Sequence, residues 1–154
     1  MRVEIFDHSD GLKRVPFNVL SKLTDGLVDA ECILAQASLT ELRQRVEDIL
    51  AQAGFSGQVA IDNTSGISIT GMRETVGVCF QTGNVARMYA DLLKLQVLFV
   101  RGTISSAVFL VLLKRTGTVF GSNLASWERL TKELNIFEDV ITVPMIVVGI
   151  GAEQ

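Results

Sequence analysis

Two unbroken apolar runs limit what this chain can fold into. AVFLVLL, at residues 107–113, and VPMIVVGIG, at residues 143–151, are each as long as a strand and too short to cross a membrane as a helix. An apolar run without alternation indicates a strand buried on both faces, as in a parallel or mixed sheet. The whole chain is predicted to follow the order β, α, α, β, β, β, α, β, α, β. We therefore predict an α/β fold, a mixed β-sheet with helices on both faces.

Composition narrows the class of protein further. The 154 residues are 48% hydrophobic and 20% charged, which predicts one domain over residues 1–154 with a sizeable core. A net charge of -3 gives no electrostatic reason to expect nucleic acid, although it leaves room for a local basic face. Cys32 and Cys79 lack metal-ligand spacing, which favours free thiols and a cytoplasmic protein. MRVEIFDHSD lacks the pattern of a signal peptide, so no membrane association is expected.

Three helices are signalled by their starts and by their apolar stripes. SLTE forms a capping box at the start of a helix over residues 38–53, which a glycine follows. A helix over residues 84–99 carries apolar side chains at helical spacing, and in it Arg87 and Asp91 are spaced to form an ion pair. A third helix is predicted over residues 122–134, with the serine at its first position as the cap.

The stretch TVGVCFQTGN runs from a predicted strand into the helix over residues 84–99. Alternate side chains of a strand share a face, so Val78 and Phe80 point one way while Cys79 and Gln81 point the other. QVAID and GISITG are predicted as short strands around an NTSG turn, and Asp62 ends the first of them. If these strands pair as a meander, Asp62, Cys79 and Gln81 converge at one edge of the sheet.

That arrangement has the geometry of a magnesium-dependent nuclease site with one group missing. Mg²⁺ prefers oxygen ligands, and such a site uses two carboxylates and a backbone carbonyl. Asp62 supplies one carboxylate, but Cys79 offers a soft thiol where a second hard ligand is required. The pattern therefore predicts a weakened metal site.

Several separated stretches carry a resemblance to a known family. They are VEIFDHSDGL, SLTELRQRVEDILAQAGF, VGVCFQTGNVARMYADLLKLQ and VPMIVVGIG. On these stretches the chain resembles the BglII-type restriction endonucleases of the PD-(D/E)XK fold, in which the strand reads VGVE, an apolar residue, Gln or Lys, an aromatic residue and GN. The resemblance implies a restriction-endonuclease-like mixed sheet flanked by helices on both faces.

The resemblance also implies roles for individual residues. Asp62 matches the first metal-binding aspartate, Phe80 the residue whose carbonyl completes the metal shell, and Gln81 the variable orienting position. Cys79 stands where the family has its glutamate, and Thr82 replaces an aromatic residue. The expected catalytic positions are Asp62, Cys79 and Gln81, and the expected ligands of Mg²⁺ are Asp62 and Phe80.

Each of these residues has a simpler interpretation. Cys79 fits a small buried apolar residue, and Asp62 before Asn-Thr-Ser-Gly fits the start of a turn. His8 is a turn residue, and Glu74 replaces the missing carboxylate only if a bulge turns it to the other face. Six basic residues are ordinary solvated charges unless several share one face and contact phosphates: Arg73, Arg87, Lys94, Arg101, Lys114 and Arg115.

Three functions remain open at this point. The first is a Mg²⁺-dependent type II endonuclease of double-stranded DNA whose cleavage site is weakened or lost. The second is a non-catalytic DNA-binding or subunit-assembly protein that kept the nuclease fold. The third is a small α/β domain unrelated to DNA. The resemblance implies a homodimer, or pairing with another nuclease subunit.

Overall fold

A five-stranded mixed sheet forms the centre of the computed structural model, which describes residues 1–30 and 37–152. The strands of this sheet are β1 (Arg2–His8), β4 (Gly71–Arg73), β5 (Val76–Gln81), β6 (Ser106–Leu112) and β7 (Met145–Gly151). The strand order is β1-β7-β6-β5-β4; β5, β6 and β7 are parallel, and the two outer strands are antiparallel to their neighbours. This confirms the predicted mixed sheet.

The two apolar runs form the central strands β6 and β7, and all seven residues of each are buried. Val108, Leu110 and Leu112 point into one core, while Phe109 and Val111 point into the other. Such two-sided burial requires helices on both faces of the sheet.

Two layers of helices provide that cover. The helices are α1 (Gly11–Arg14), α2 (Phe17–Asp29), α3 (Leu39–Gln52), α4 (Val85–Val100), α5 (Lys114–Phe120) and α6 (Trp127–Ile136). Apolar residues of α2 and α3 pack on one face of the sheet, and those of α4 and α6 pack on the other. No helix within residues 1–30 or 37–152 is long and apolar enough to span a bilayer.

Helix α3 lies between the cap and the glycine that the sequence predicts, and His8 is fixed at the end of β1. Ser38 caps α3 in a capping box with Glu41, as predicted, and Gly54 after the helix has a φ of 89°. His8, at the end of β1, is buried, and its Nε2 donates to the Ile141 carbonyl at 2.6 Å. His8 therefore joins β1 to the segment before β7.

The predicted meander differs from the structure. QVAID and GISITG form β2 (Val59–Ala60) and β3 (Ser68–Ile69), which pair with each other in a separate two-stranded sheet. The strand that joins the main sheet beside β5 is β4, from the GMRE segment between GISITG and TVGVCFQ. Asp62 therefore does not lie on a strand of the main sheet.

The third predicted helix also begins elsewhere. Ser122 caps no described helix; α5 precedes it, and α6 begins after Ser126, whose Oγ accepts from the Arg129 backbone N–H. The left-handed backbone of Asn123, with a φ of 61°, breaks the helix that Ser122 would start. Trp127, the first residue of α6, is partly buried against the core on that face of the sheet.

A close backbone contact tests this packing. Ser56 N donates to Met72 O at 2.8 Å and Met72 N donates to Ser56 Oγ at 3.0 Å, so the chain around Gly71 is held on both sides. A Cβ at Gly71 would lie 2.3 Å from the Ser56 carbonyl oxygen. We expect Gly71→Ala to lower the free energy of unfolding by about 1–3 kcal/mol, measured by urea denaturation.

Gly57→Ala is the matched control, because a Cβ there meets nothing within 4 Å. It should change the free energy of unfolding by no more than about 0.5 kcal/mol. Equal losses from the two variants would contradict the close contact at Gly71.

Candidate functional site

A cleft of about 520 Å³ opens at the carboxyl end of β5. Its walls come from α3, the segments before β2 and around β3, the end of β5 and the first half of α4. Its charged lining residues are Arg43, Glu47, Arg87, Asp91 and Lys94. The cleft therefore lies where the sequence predicted a site, but its charges come from helices.

The QTGN sequence shapes the floor of the cleft. Gln81 Oε1 accepts from the Gly83 backbone N–H at 2.7 Å, and Asn84 Oδ1 accepts from the Arg87 backbone N–H at 3.0 Å to cap α4. A Cβ at Gly83 would lie 2.8 Å from Gln81 Oε1, so glycine at this position allows the close turn. The turn sets α4 against the end of β5.

Asp91 of α4 connects the strand to the cleft wall. It is only 7% exposed; its Oδ2 accepts from Gln81 Nε2 at 2.6 Å and its Oδ1 accepts from Lys94 Nζ at 2.8 Å. The predicted pair between Arg87 and Asp91 is wrong, since in the described part of the chain Asp91 pairs with Lys94. Both polar ends of Gln81 are therefore committed to protein groups.

Cys79 has the strand parity that the sequence predicted, but its face of the sheet is covered. The side chain is 1% exposed and belongs to the core that contains Met88 and Leu92 of α4. Burial raises the pKa of the thiol far above its usual range, and the negative charge of Asp91 adds to the shift. Cys79 is thus packed as a core residue, and sulfur is a soft ligand that Mg²⁺ does not favour.

Asp62 lies away from the cleft lining, in the exposed turn after β2. Its Oδ1 accepts from the backbone N–H groups of Thr64 at 2.7 Å and Ser65 at 2.8 Å. These hydrogen bonds, with those of the Thr64 and Ser65 hydroxyl groups, hold the pKa of Asp62 at about 2. Asp62 begins a turn, as its simpler interpretation expected.

Thr70 occupies the position beside the strand end that Asp62 was expected to fill. Its Oγ1 accepts from the Phe80 backbone N–H at 2.9 Å. Thr70, Phe80 and Gln81 all line the cleft. A threonine thus stands where a metal site of the expected kind needs a carboxylate.

Glu74 cannot replace the missing carboxylate. It lies in the tight turn between β4 and β5, with a φ of 51°, at the opposite end of β5 from Gln81. The strand from Val76 to Cys79 alone spans about 10 Å, and Glu74 lies beyond its start.

These donors do not fit a divalent metal ion. The described residues contain no group of three His, Cys, Asp or Glu side chains that could hold one. The structure brings Phe80 and Gln81 to the cleft, buries Cys79 beneath it and leaves Asp62 outside.

Sequence reasoning missed Thr70 and underestimated Asp91 and Lys94. One signal was present: Asp91 lies three residues after Met88 and four before Leu95, so a charged side chain interrupts the apolar stripe of α4. Thr70 had no comparable signal, because its position depends on how the chain returns from the hairpin to β4.

Comparisons with known proteins agree with this architecture. The crystal structure of restriction endonuclease BglII complexed with a DNA 16-mer matches 99% of this chain and 79% of that chain, with a TM-score of 0.83 and 13% identity. The crystal structure of free BglII matches 99% and 81%, with a TM-score of 0.74 and 13% identity. At this identity the likeness establishes the fold alone.

The family assignment comes from sequence. A search of curated proteins finds no match. The family model described as restriction endonuclease BglII/BglIII matches residues 19–150, which is most of the chain. This chain belongs to the BglII/BglIII family of restriction endonucleases.

Proposed function

We propose that this protein binds double-stranded DNA in the cleft at the end of β5 and that its phosphodiester cleavage is strongly weakened or lost. The observation that carries the proposal is Cys79, a thiol buried in the core at the position where the family pattern has a glutamate. Enzymes of this family use divalent metal ions, and the hard donors for such an ion are not assembled here.

The charges of the cleft support DNA as the ligand. Three cations, Arg43, Arg87 and Lys94, face two acids, Glu47 and Asp91, although the whole chain carries a net charge of -3. Arg43 Nε donates to the Thr82 hydroxyl at 2.6 Å, and neither Arg43 nor Arg87 pairs with a carboxylate in residues 1–30 or 37–152. Two guanidinium groups therefore remain for phosphate oxygens, which they bind well. BglII itself has been crystallised with DNA.

Gln81 and the missing metal ligands explain why cleavage should be slow. Hydrolysis needs an activated water and a group that stabilises the charge of the transition state. An amide such as Gln81 accepts no proton at neutral pH, and both of its ends are hydrogen-bonded within the protein. Losing metal-ion stabilisation worth several kcal/mol lowers a rate by a few orders of magnitude, since about 1.4 kcal/mol is tenfold.

Exposed apolar side chains on α4 support binding to a second copy of this chain or to another nuclease subunit. Leu93, Val97 and Val100 are 57%, 36% and 74% exposed and are spaced to share one face of α4. Tyr89, one turn before Leu93, stacks edge-on against Phe137 at 6.3 Å, and Phe137 is itself partly exposed. Contiguous exposed apolar side chains of this kind mark interfaces.

DNA binding is tested by removing one cation of the cleft. Arg87→Met should weaken binding to a duplex and reduce the dependence of log K on log[salt] by about one, because one phosphate contact is lost. Fluorescence anisotropy at several salt concentrations measures both. Arg45→Met, an exposed cation of α3 outside the cleft lining, is the control and should bind as the native protein does. Equal effects of the two variants would contradict binding in this cleft.

Cleavage is tested by restoring carboxylates at the strand end. With Mg²⁺, the native protein should nick supercoiled DNA no faster than background. Cys79→Glu should strengthen Mg²⁺ binding measured by calorimetry, and Thr70→Asp combined with Cys79→Glu should strengthen it further, because two hard ligands then lie side by side.

Cys79→Gln is the neutral control of similar size and should add no metal affinity. Circular dichroism checks that each variant folds, since a buried carboxylate is costly. Robust nicking by the native protein, lost on Asp91→Asn, would contradict a weakened site.

Self-association is tested on α4. Sedimentation velocity at tens of micromolar should find the native protein as a dimer and Val100→Glu as a monomer, because a charge in an apolar interface is unfavourable. Val119→Glu, on a similarly exposed valine of α5, should remain dimeric. A monomeric native protein would contradict a homodimer.

A further inference from the structure

The carboxylate of Asp91 already has a cation beside it. Lys94 Nζ lies 2.8 Å from Oδ1, and the side chains of the pair are only 24% and 10% exposed. Three residues along α4 separate the two, so the helix itself holds the ammonium group next to the carboxylate. Gln81 Nε2 donates to the other oxygen at 2.6 Å. Asp91 is therefore compensated by the chain itself.

Two further side-chain oxygens beside the end of β5 also have internal partners. Gln81 Oε1 accepts from Gly83 N, and Thr70 Oγ1 accepts from Phe80 N. The other carboxylate that lines the cleft is Glu47, which is exposed on α3. A single exposed carboxylate is a poor site for Mg²⁺, which dehydrates reluctantly and needs an octahedral set of oxygens.

We infer that the Lys94 ammonium group supplies the positive charge that a divalent metal ion supplies in relatives that cleave DNA. DNA therefore binds in this cleft without any divalent metal. The inference rests on the proposed DNA-binding function. In a site with two free carboxylates, the negative charges repel a DNA phosphate, and a bound metal ion reduces that repulsion. Here the strand end carries Thr70 and Cys79 instead of carboxylates, and Lys94 neutralises Asp91.

The local charge favours phosphate as the cleft stands. Arg43, Arg87 and Lys94 exceed the two acids of the cleft by one positive charge. The pair of Lys94 and Asp91 is neutral as a unit, and its ammonium group has further N–H donors, since Lys offers three. A phosphate oxygen can therefore bind Lys94 while Asp91 keeps the ammonium group in place.

The native protein provides the first test and needs no variant. Duplex binding is measured by fluorescence anisotropy in EDTA and in Mg²⁺ at constant ionic strength. Binding should be no stronger in Mg²⁺ than in EDTA, because the chain already supplies the cation. Binding that appears only with Mg²⁺ would overturn this inference while leaving the DNA-binding function intact. Absence of binding in both buffers would overturn the proposed function itself.

Lys94 variants provide the second test. In EDTA, Lys94→Met should lower the affinity by about fivefold to tenfold and reduce the salt slope by about one, as the loss of one phosphate-binding cation predicts. Mg²⁺ should restore part of that loss, because Asp91 is then uncompensated. Lys94→Arg should stay close to native, and Lys22→Met, an exposed lysine of α2 outside the cleft lining, is the matched control. Native affinity in Lys94→Met would overturn the role of Lys94.

Discussion

Hydrogen bonding between the parallel strands β5, β6 and β7 is the constraint on which the rest of the molecule depends. Parallel neighbours need crossover connections, and these place α4 between β5 and β6, and α5 and α6 between β6 and β7. Helices α2 and α3 cover one face of the sheet, and α4 and α6 cover the other. Because both faces are covered, β6 and β7 are built almost wholly from apolar residues. The same crossover brings the first turns of α4 against the carboxyl end of β5, where the cleft lies.

Covering that face of the sheet has a direct consequence for chemistry. A carboxylate at position 79 would be buried beneath α4 and would need a cation beside it to be tolerated. Cys79 needs none, and it packs as a small apolar residue. Among residues 1–30 and 37–152, the buried acid is Asp91, and its charge is balanced on its own helix by Lys94. Charge balance at the end of β5 thus comes from α4 and needs no bound metal ion.

Family membership and local chemistry therefore have different consequences here. The family match and the likeness to BglII concern the sheet and its helices. Cleavage depends on a few hard ligands in one place, and a fold can persist after these are replaced. Packing of the sheet does not require a carboxylate at position 79 or 70. The fold therefore loses no stability by having Cys79 and Thr70 at these positions.

Most of the architecture could be predicted from the sequence, because each signal was local. The unbroken apolar runs of β6 and β7, the capping box of Ser38 and the stripe of α4 depend only on neighbouring residues. Ser122 misled because Ser126 caps equally well and the backbone of Asn123 decides between them. The parity of Cys79 and Gln81 was also correct, since it follows from the pleat of a single strand.

The sequence by itself determined which residues can pair, cap and pack, and that position 79 bears a thiol. Tertiary structure decided which of them meet. β2 pairs with β3 instead of joining the main sheet, so Asp62 stays in its turn and Thr70 reaches the end of β5. Asp91 contacts Gln81 and Lys94 because the crossover packs that face of α4 against β5. Contacts between residues distant in sequence depend on how the elements are arranged in space, and no local pattern encodes that arrangement.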